Sequence, residues 1–397
     1  MADDELPIGR RVAQWRTRRQ MSQQMLADRL GRSKSWVDKV ERGVRRLDKF
    51  SMIRSIAEVL RVDTSVLLSD QGAGTRSTDA LGLAALRAAL ACHHVGERET
   101  PDPLPAGEPG RSVGHAWSAY QHAHYPQLVR MLPNLLGHLR RTPVIAGSTA
   151  GAGVFVQAYR ITASVLVKLG EADLAWLAAD RAMAAAGEDR LLAAVAAIPL
   201  GQALRAADNG RLAMAATIAA ADRIATPTPH EGPPEELPLL GTLLAEAALS
   251  AAACGDASSV RELFDQAARI AVRVGERADR HRTGFGPASV EAARTAAAVE
   301  LGDGRAAVRR HERLVTGRAL NHLPVEHRAA HLVTAARAYL LVGDPTRAGR
   351  ALVEADRTAP AEIRCRPVAR TVIRAVLCGD PAPAGLAHLA SLAGLLR

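Results

Sequence analysis

The chain has 397 residues and a mass of 42.0 kDa, enough for two to four domains at about 100 to 200 residues each. Its four cysteines, Cys92, Cys254, Cys365 and Cys378, are far apart and show neither CxxC nor finger spacing, so no disulfide framework and no metal site is expected and a cytoplasmic location fits best. The first residues lack the apolar segment of a signal peptide and no run of 18 apolar residues occurs, so no membrane association is expected.

The composition is 48% hydrophobic but only 3% aromatic, with Ala and Leu outweighing the β-branched residues, which predicts an all-α fold. The net charge of +10 invites a nucleic-acid partner, yet Arg outnumbers Lys 47 to 4, a bias that GC-rich codons also produce. Position decides between these causes. Residues 6 to 62 hold 15 Lys and Arg against 5 acids, a net of +10, and the other 340 residues sum to zero. Three of the four lysines, Lys34, Lys39 and Lys49, fall in that short segment, which marks it as a surface for phosphate.

Within it, Ile8, Val12 and Trp15, then Leu26 and Leu30, Val37 and Val40, and Ile53, Ile56, Ala57 and Leu60 recur at helical spacing. Ser22 and Ser33 stand where N-caps would open the second and third helices, Gly31 breaks between them, Gly43 ends the third, and Asp63 is placed to cap a fifth. The second and third helices, joined by so tight a turn, have the layout of a helix-turn-helix.

The stretch MSQQMLADRLGRSKSWVDKVERG, through Ser22-Gln23, Leu26-Ala27, Gly31, Ser33, Val37, Val40 and Glu41-Arg42-Gly43, resembles the Xre family of bacterial and phage repressors, and IAEVLRV at 56 to 62 completes the likeness. The resemblance implies a five-helix, lambda-repressor-like domain over residues 6–70 that binds double-stranded DNA. Gln23 would direct its amide and the helix N-terminus at a phosphate. Lys34, Ser35 and Lys39 would meet base edges, and Arg32, Ser33, Arg42, Arg45 and Arg46 would hold backbone on either side. Trp36 is expected to pack rather than to read DNA.

Residues 71–79, QGAGTRSTD, have the composition of a linker. Beyond them, 80 to 95 and 114 to 140 read as helices separated by a loop over ERETPDPLPAGEPG at 97 to 110. A Gly, mostly followed by an acid, then recurs between Ala-rich stretches at Gly170, Gly210, Gly255, Gly302, Gly343 and Gly379, at intervals of 40, 45, 47, 41 and 36 residues. Gly ends one helix and the acid opens the next, so residues 80–397 are expected to form a solenoid of helical hairpins capped by GLAHLASLAGLLR. The copy around Gly343, with Ala336 and Tyr339 before it and Ala348, Leu352, Ala355 and Pro360 after, resembles a tetratricopeptide repeat.

The whole chain is similar to regulators of high-GC (actinobacterial) bacteria that join an Xre domain to degenerate repeats, on HAWSAYQHAHYPQLVRMLPNLL at 115 to 136, FGPASV at 285 to 290 and LVTAARAYLLVGD at 332 to 344. Members carry FGPTNV where this chain has Ala288 and Ser289 in place of Thr and Asn.

An enzyme is not expected. The P-loop, GxGxxG and HExxH patterns are missing, and the histidine pairs His327/His331 and His122/His124 lack ligand partners at metal spacing, so no catalytic residue, cofactor or metal is assigned. In this repeat type the first helix of each pair lines a concave groove, and the register places Gln157, Arg160, Ser164 and Lys168 there, with Ser289 and Arg337 further on, as candidate effector-binding residues. The expectation is a sequence-specific transcriptional regulator whose repeats dimerise on a palindromic operator and bind a small-molecule effector. The alternative is a peptide- or protein-binding scaffold. With only three Asn, none at a groove position, the small molecule is favoured.

Overall fold

The computed structural model describes residues 8–19, 21–43, 50–60, 76–92, 108–141, 149–226, 233–276, 281–378 and 385–395. Every regular element among them is a helix. The chain divides into two compact units, Met1–Arg76 and Ser77–Arg397.

The first unit contains α1 (Ile8–Arg18), α2 (Gln23–Leu30), α3 (Lys34–Glu41) and α4 (Phe50–Leu60). The caps follow from the sequence. The Ser22 hydroxyl accepts from the Met25 amide and the Ser33 hydroxyl from the Trp36 amide, both at 3.1 Å, each satisfying an N–H that has no intrahelical partner. Between them Gly31 turns the chain at φ +62°, a conformation in which a Cβ would crowd the following carbonyl. The periodic apolar residues converge as expected: Val12, Leu26, Ala27, Val37, Ile53, Ile56, Ala57 and Leu60 form one core, with Ile8, Trp15 and Trp36 packed at its edge. Helices α1 and α3 touch at Gly9, where an added Cβ would lie 2.0 Å from the Val40 carbonyl oxygen. The fifth helix expected after Asp63 lies outside the described residues.

The second unit opens with α5 (Arg76–Ala91), α6 (Glu108–Gln121) and α7 (Tyr125–Arg141). Three sequence boundaries shift here. Helix α5 starts inside the expected 71–79 linker. The expected loop at 97–110 gives way to helix three residues early, because Glu108 and Pro109 fit a first helical turn that needs no backbone donor. The single helix expected over 114–140 is two, separated at Ala123, whose φ is +57°.

Five hairpins follow: α8 (Thr149–Leu169) with α9 (Ala172–Ala186), α10 (Arg190–Ala206) with α11 (Gly210–Ile224), α12 (Leu237–Ala253) with α13 (Ala257–Val274), α14 (Pro287–Glu300) with α15 (Gly304–Thr316), and α16 (Val325–Leu341) with α17 (Pro345–Thr358). The first helix of each pair also packs on the first helix of the next, the arrangement of a solenoid. Gly170, Gly255, Gly302 and Gly343 sit at the hairpin turns with φ between +76° and +81°. Gly210 does something else: it is the first residue of α11, buried with its Cα against Cys254, and the left-handed turn residue there is Asp208. Gly379 lies outside the described residues. Small buried residues, among them Ala163, Ala175 and Ala182 in the first hairpin and Ala248 and Ala267 in the third, let the helices approach closely. Three helices, α18 (Pro360–Arg364), α19 (Pro367–Leu377) and α20 (Leu386–Leu392), close the chain, the last burying Leu386, Leu389 and Ala390.

Within α8, Gly151–Leu169 is long and apolar enough to cross a membrane by length and composition, but 56% of it is buried inside the protein and it carries the buried polar residues described next. It is one of several helices that contribute to the core of the unit.

Candidate DNA interface and effector cavity

Helix α3 presents Lys34, Ser35 and Lys39 to solvent, with Ser35 and Lys39 one turn apart. Neither lysine enters an ion pair among the described residues. The helix is held from beneath by Glu41, only 5% exposed, which takes the Arg16 Nε at 2.6 Å and the Gln23 Nε2 at 2.8 Å. Arg16 also donates to the Met21 carbonyl at 2.7 Å, so one guanidinium ties α1 to the start of α2 and the end of α3. The pattern of apolar residues gives no hint of this anchor, because Glu41 reads as an ordinary polar residue of the ERG turn.

The remaining candidate DNA contacts are distributed unevenly. Gln23 turns its amide to Glu41 and keeps one N–H over. Ser33 is engaged as the α3 cap and retains its hydroxyl proton. The Arg32 guanidinium lies 5.8 Å from the centre of the Trp36 ring, which packs on the core edge as expected. Arg42 reaches Asp38 at 3.4 Å on the exposed surface, a contact worth little. Arg45 and Arg46 lie outside the described residues.

In the second unit the candidate groove residues on α8 face inward and are engaged by other parts of the unit. Gln157 accepts from the Trp117 indole at 2.8 Å. Arg160, 4% exposed, stacks 4.8 Å from the Trp117 ring centre and donates to the His281 carbonyl. Ser164 is buried. Lys168 lies 2.9 Å from Glu362 and 3.1 Å from Glu326. Arg337 pairs with Glu300 at 2.7 Å, and Ser289 caps α14, accepting from the Gly286 amide at 2.9 Å.

Glu362 is the hub of a buried cluster that joins residues far apart in sequence. It also receives the Tyr125 hydroxyl and the Arg366 guanidinium and has no solvent exposure. Burial opposes its ionisation, but Lys168 and Arg366 outweigh that and hold its carboxyl well below the usual carboxylate range. Burial, with Glu362 and Glu326 nearby, pushes the Tyr125 hydroxyl well up, so it stays a donor. Through these bonds α18 and α19 are fastened to α7 and α8. In sequence, Glu326 and Glu362 stand in the first turns of helices, where an acid is expected at the surface, so the cluster is illegible there.

Between α12, α14 and α16 is a cavity of about 230 Å³ whose wall includes Glu246, Phe285, Ser289, His327, His331 and Arg366. Of the six groove candidates only Ser289 lines it. Glu246 is bonded by Gln202 at 2.6 Å and lies 2.8 Å from Arg205. His331, 4% exposed, meets the buried His311 ring nitrogen to nitrogen at 3.0 Å, and burial, with His311 beside it, pushes it down to about 3, so the imidazole is neutral.

Residues 7–68 match a family model described as a helix-turn-helix domain, a span confined to the first unit. No curated protein matches the chain. The first unit is a helix-turn-helix domain, built on the α2–Gly31–α3 geometry.

Proposed function

We propose that this chain is a cytoplasmic, non-enzymatic transcriptional regulator of the Xre type, in which residues 6–70 bind DNA and the tetratricopeptide-like repeats dimerise and sense a small molecule. The single observation that carries the DNA-binding role is the outer face of α3, where Lys34, Ser35 and Lys39 are exposed while the helix beneath is locked by Glu41. An α-helix fits the major groove, where Lys donates to guanine O6 and N7. The surplus of ten positive charges in residues 6 to 62 supplies the phosphate attraction. A homodimer would set two α3 helices on half-sites one helical turn apart, which predicts a palindromic operator.

The effector acts, in this reading, by binding the two arrangements of the repeats unequally, since only differential affinity couples ligand to operator. Footprinting of the purified protein on DNA upstream of its own gene is expected to protect a symmetric site, with sedimentation at twice the 42.0 kDa chain mass. Lys34→Ala and Lys39→Ala are each expected to cost about 1–3 kcal/mol on that site and to relax base preference, whereas Arg45→Ala weakens specific and random duplexes alike. Equal losses on both duplexes for all three variants would refute these roles.

A further inference from the structure

We propose that the cavity between α12, α14 and α16 binds a small uncharged organic molecule with an apolar body and a hydroxyl or amide end. This rests on reading the repeat unit as an effector domain and specifies the chemistry of what it senses.

Size sets the first limit. At about 30 Å³ per molecule of liquid, 230 Å³ holds roughly eight waters, less than the space a drug-sized ligand or a peptide segment occupies. Charge sets the second. Each carboxylate and guanidinium in the wall already has an opposite charge at bonding distance: Glu246 has Arg205 and Arg366 has Glu362. The imidazole of His331 is neutral. An ion entering such a wall would lose its hydration without gaining a counter-charge, so a charged ligand is disfavoured.

The polar end is specified by two buried atoms. Among the described residues, His331 Nδ1 and Glu246 Oε2 have no hydrogen-bond partner, although the latter is ion-paired to Arg205. Glu246 Oε2 accepts only. His331 answers either kind of group, because its Nε2 faces His311 Nδ1: when one ring holds the shared proton, His331 Nδ1 is a donor, and when the other holds it, Nδ1 is an acceptor. Both atoms belong to residues of the cavity wall but are themselves closed off from it, so a hydroxyl or an amide, each both donor and acceptor, satisfies them only as those side chains turn toward it, while Phe285, Leu249, Leu323 and the alanines of α14 face the apolar body.

The test uses four probes of one ring size with the full-length chain at pH 7: benzyl alcohol and benzamide, uncharged, against benzoate and benzylammonium. Ligand-observed NMR titration is expected to give saturable binding of the uncharged pair and at least tenfold weaker binding of the ions. Ala292→Leu and Ala296→Leu, which place bulk in the cavity on a helix that favours Leu, are each expected to weaken the uncharged pair tenfold or more, and His331→Leu to weaken it several-fold. Ions binding as well as the uncharged probes, undiminished binding to both alanine variants, or no saturable binding by any probe would overturn the proposal. The charge comparison needs only the wild-type chain, so it stands even where a variant fails to fold. Duplex binding measured on the same samples separates the two readings: intact DNA binding with no probe bound sinks the cavity alone, and selective probe binding without DNA binding sinks the regulator alone.

Discussion

Lys34 and Lys39 in the first unit and Lys168 in the second all stand on helices, yet the first two are exposed without an ion pair among the described residues while the third is 13% exposed between two carboxylates. The same contrast runs through the arginines, from the exposed Arg32 to Arg160, buried against the His281 carbonyl 121 residues away, and Arg366, half-buried against Glu362. A cation presented to solvent costs the protein nothing to keep and remains available to a phosphate or a base. A buried cation is held because its own fold supplies the counter-charge, and removing one partner leaves the other stranded. The contrast therefore assigns external recognition to the first unit and internal fastening to the α8 residues of the second.

The sharpest way to break this comparison is at Glu362. Replacing it with Ala strands Arg366 and leaves Lys168 to Glu326 alone, and is expected to cost about 3–5 kcal/mol in the repeat unit. Lys34→Ala, by contrast, is expected to leave stability within about 0.5 kcal/mol while weakening DNA binding. Calorimetry of the full chain reads both: the repeat-unit transition falls in Glu362→Ala and the first-unit transition does not. A shift of under about 1 kcal/mol would mean that the cluster is dispensable and that α18 and α19 are held by apolar packing instead.

What the sequence disclosed follows the same division. Val12, Leu26, Val37 and Ile56 announced the first core, Ser22, Gly31 and Ser33 announced its turns, and all are local signals set by spacing along one helix or across one turn. The hairpin glycines were legible for the same reason. Glu362 was not, because its partners Tyr125 and Lys168 are 237 and 194 residues away and nothing in its neighbours marks it as buried. Gly210 misled because a glycine that admits a neighbouring helix looks in sequence like one that ends its own. Ser289 was found by the repeat register, but the cavity it lines is shaped by Glu246, His331 and Arg366, which come together only when α12, α16 and the N-cap of α19 pack.

A second, smaller effect comes from pH. His331 is pushed from 6.5 down to about 3 by burial and by His311, so the unfolded chain takes up this proton more readily than the folded one. The stabilisation is fully present above pH 6.5 and is lost as pH falls toward 3, by an amount on the order of a few kcal/mol. Urea denaturation at pH 7, 6, 5 and 4 is expected to show the decline in the wild-type repeat unit and a flatter profile in His331→Gln, which cannot titrate. Parallel profiles for the two proteins would place the pH sensitivity elsewhere.

The smallest effect compares two glycines within the solenoid. Gly170 and Gly343 both have left-handed backbones, φ +81° and +77°, so Ala at either pays the backbone penalty of about 1–2 kcal/mol. They differ in surroundings: a Cβ at Gly170 would lie 2.8 Å from Pro367 Cγ, whereas at Gly343 nothing lies within 4 Å. Pro367 opens α19, immediately after Arg366, so bulk at Gly170 presses on the segment that fastens α8 to the end of the chain. Gly170→Ala is therefore expected to cost more than Gly343→Ala, by about 1 kcal/mol or more of overpacking. Combining each with Glu362→Ala sharpens the point. If the segment is already released, the extra cost of Gly170→Ala shrinks and that of Gly343→Ala is unchanged, so additive losses for Gly170→Ala would show that Pro367 and the ionic cluster do not act together.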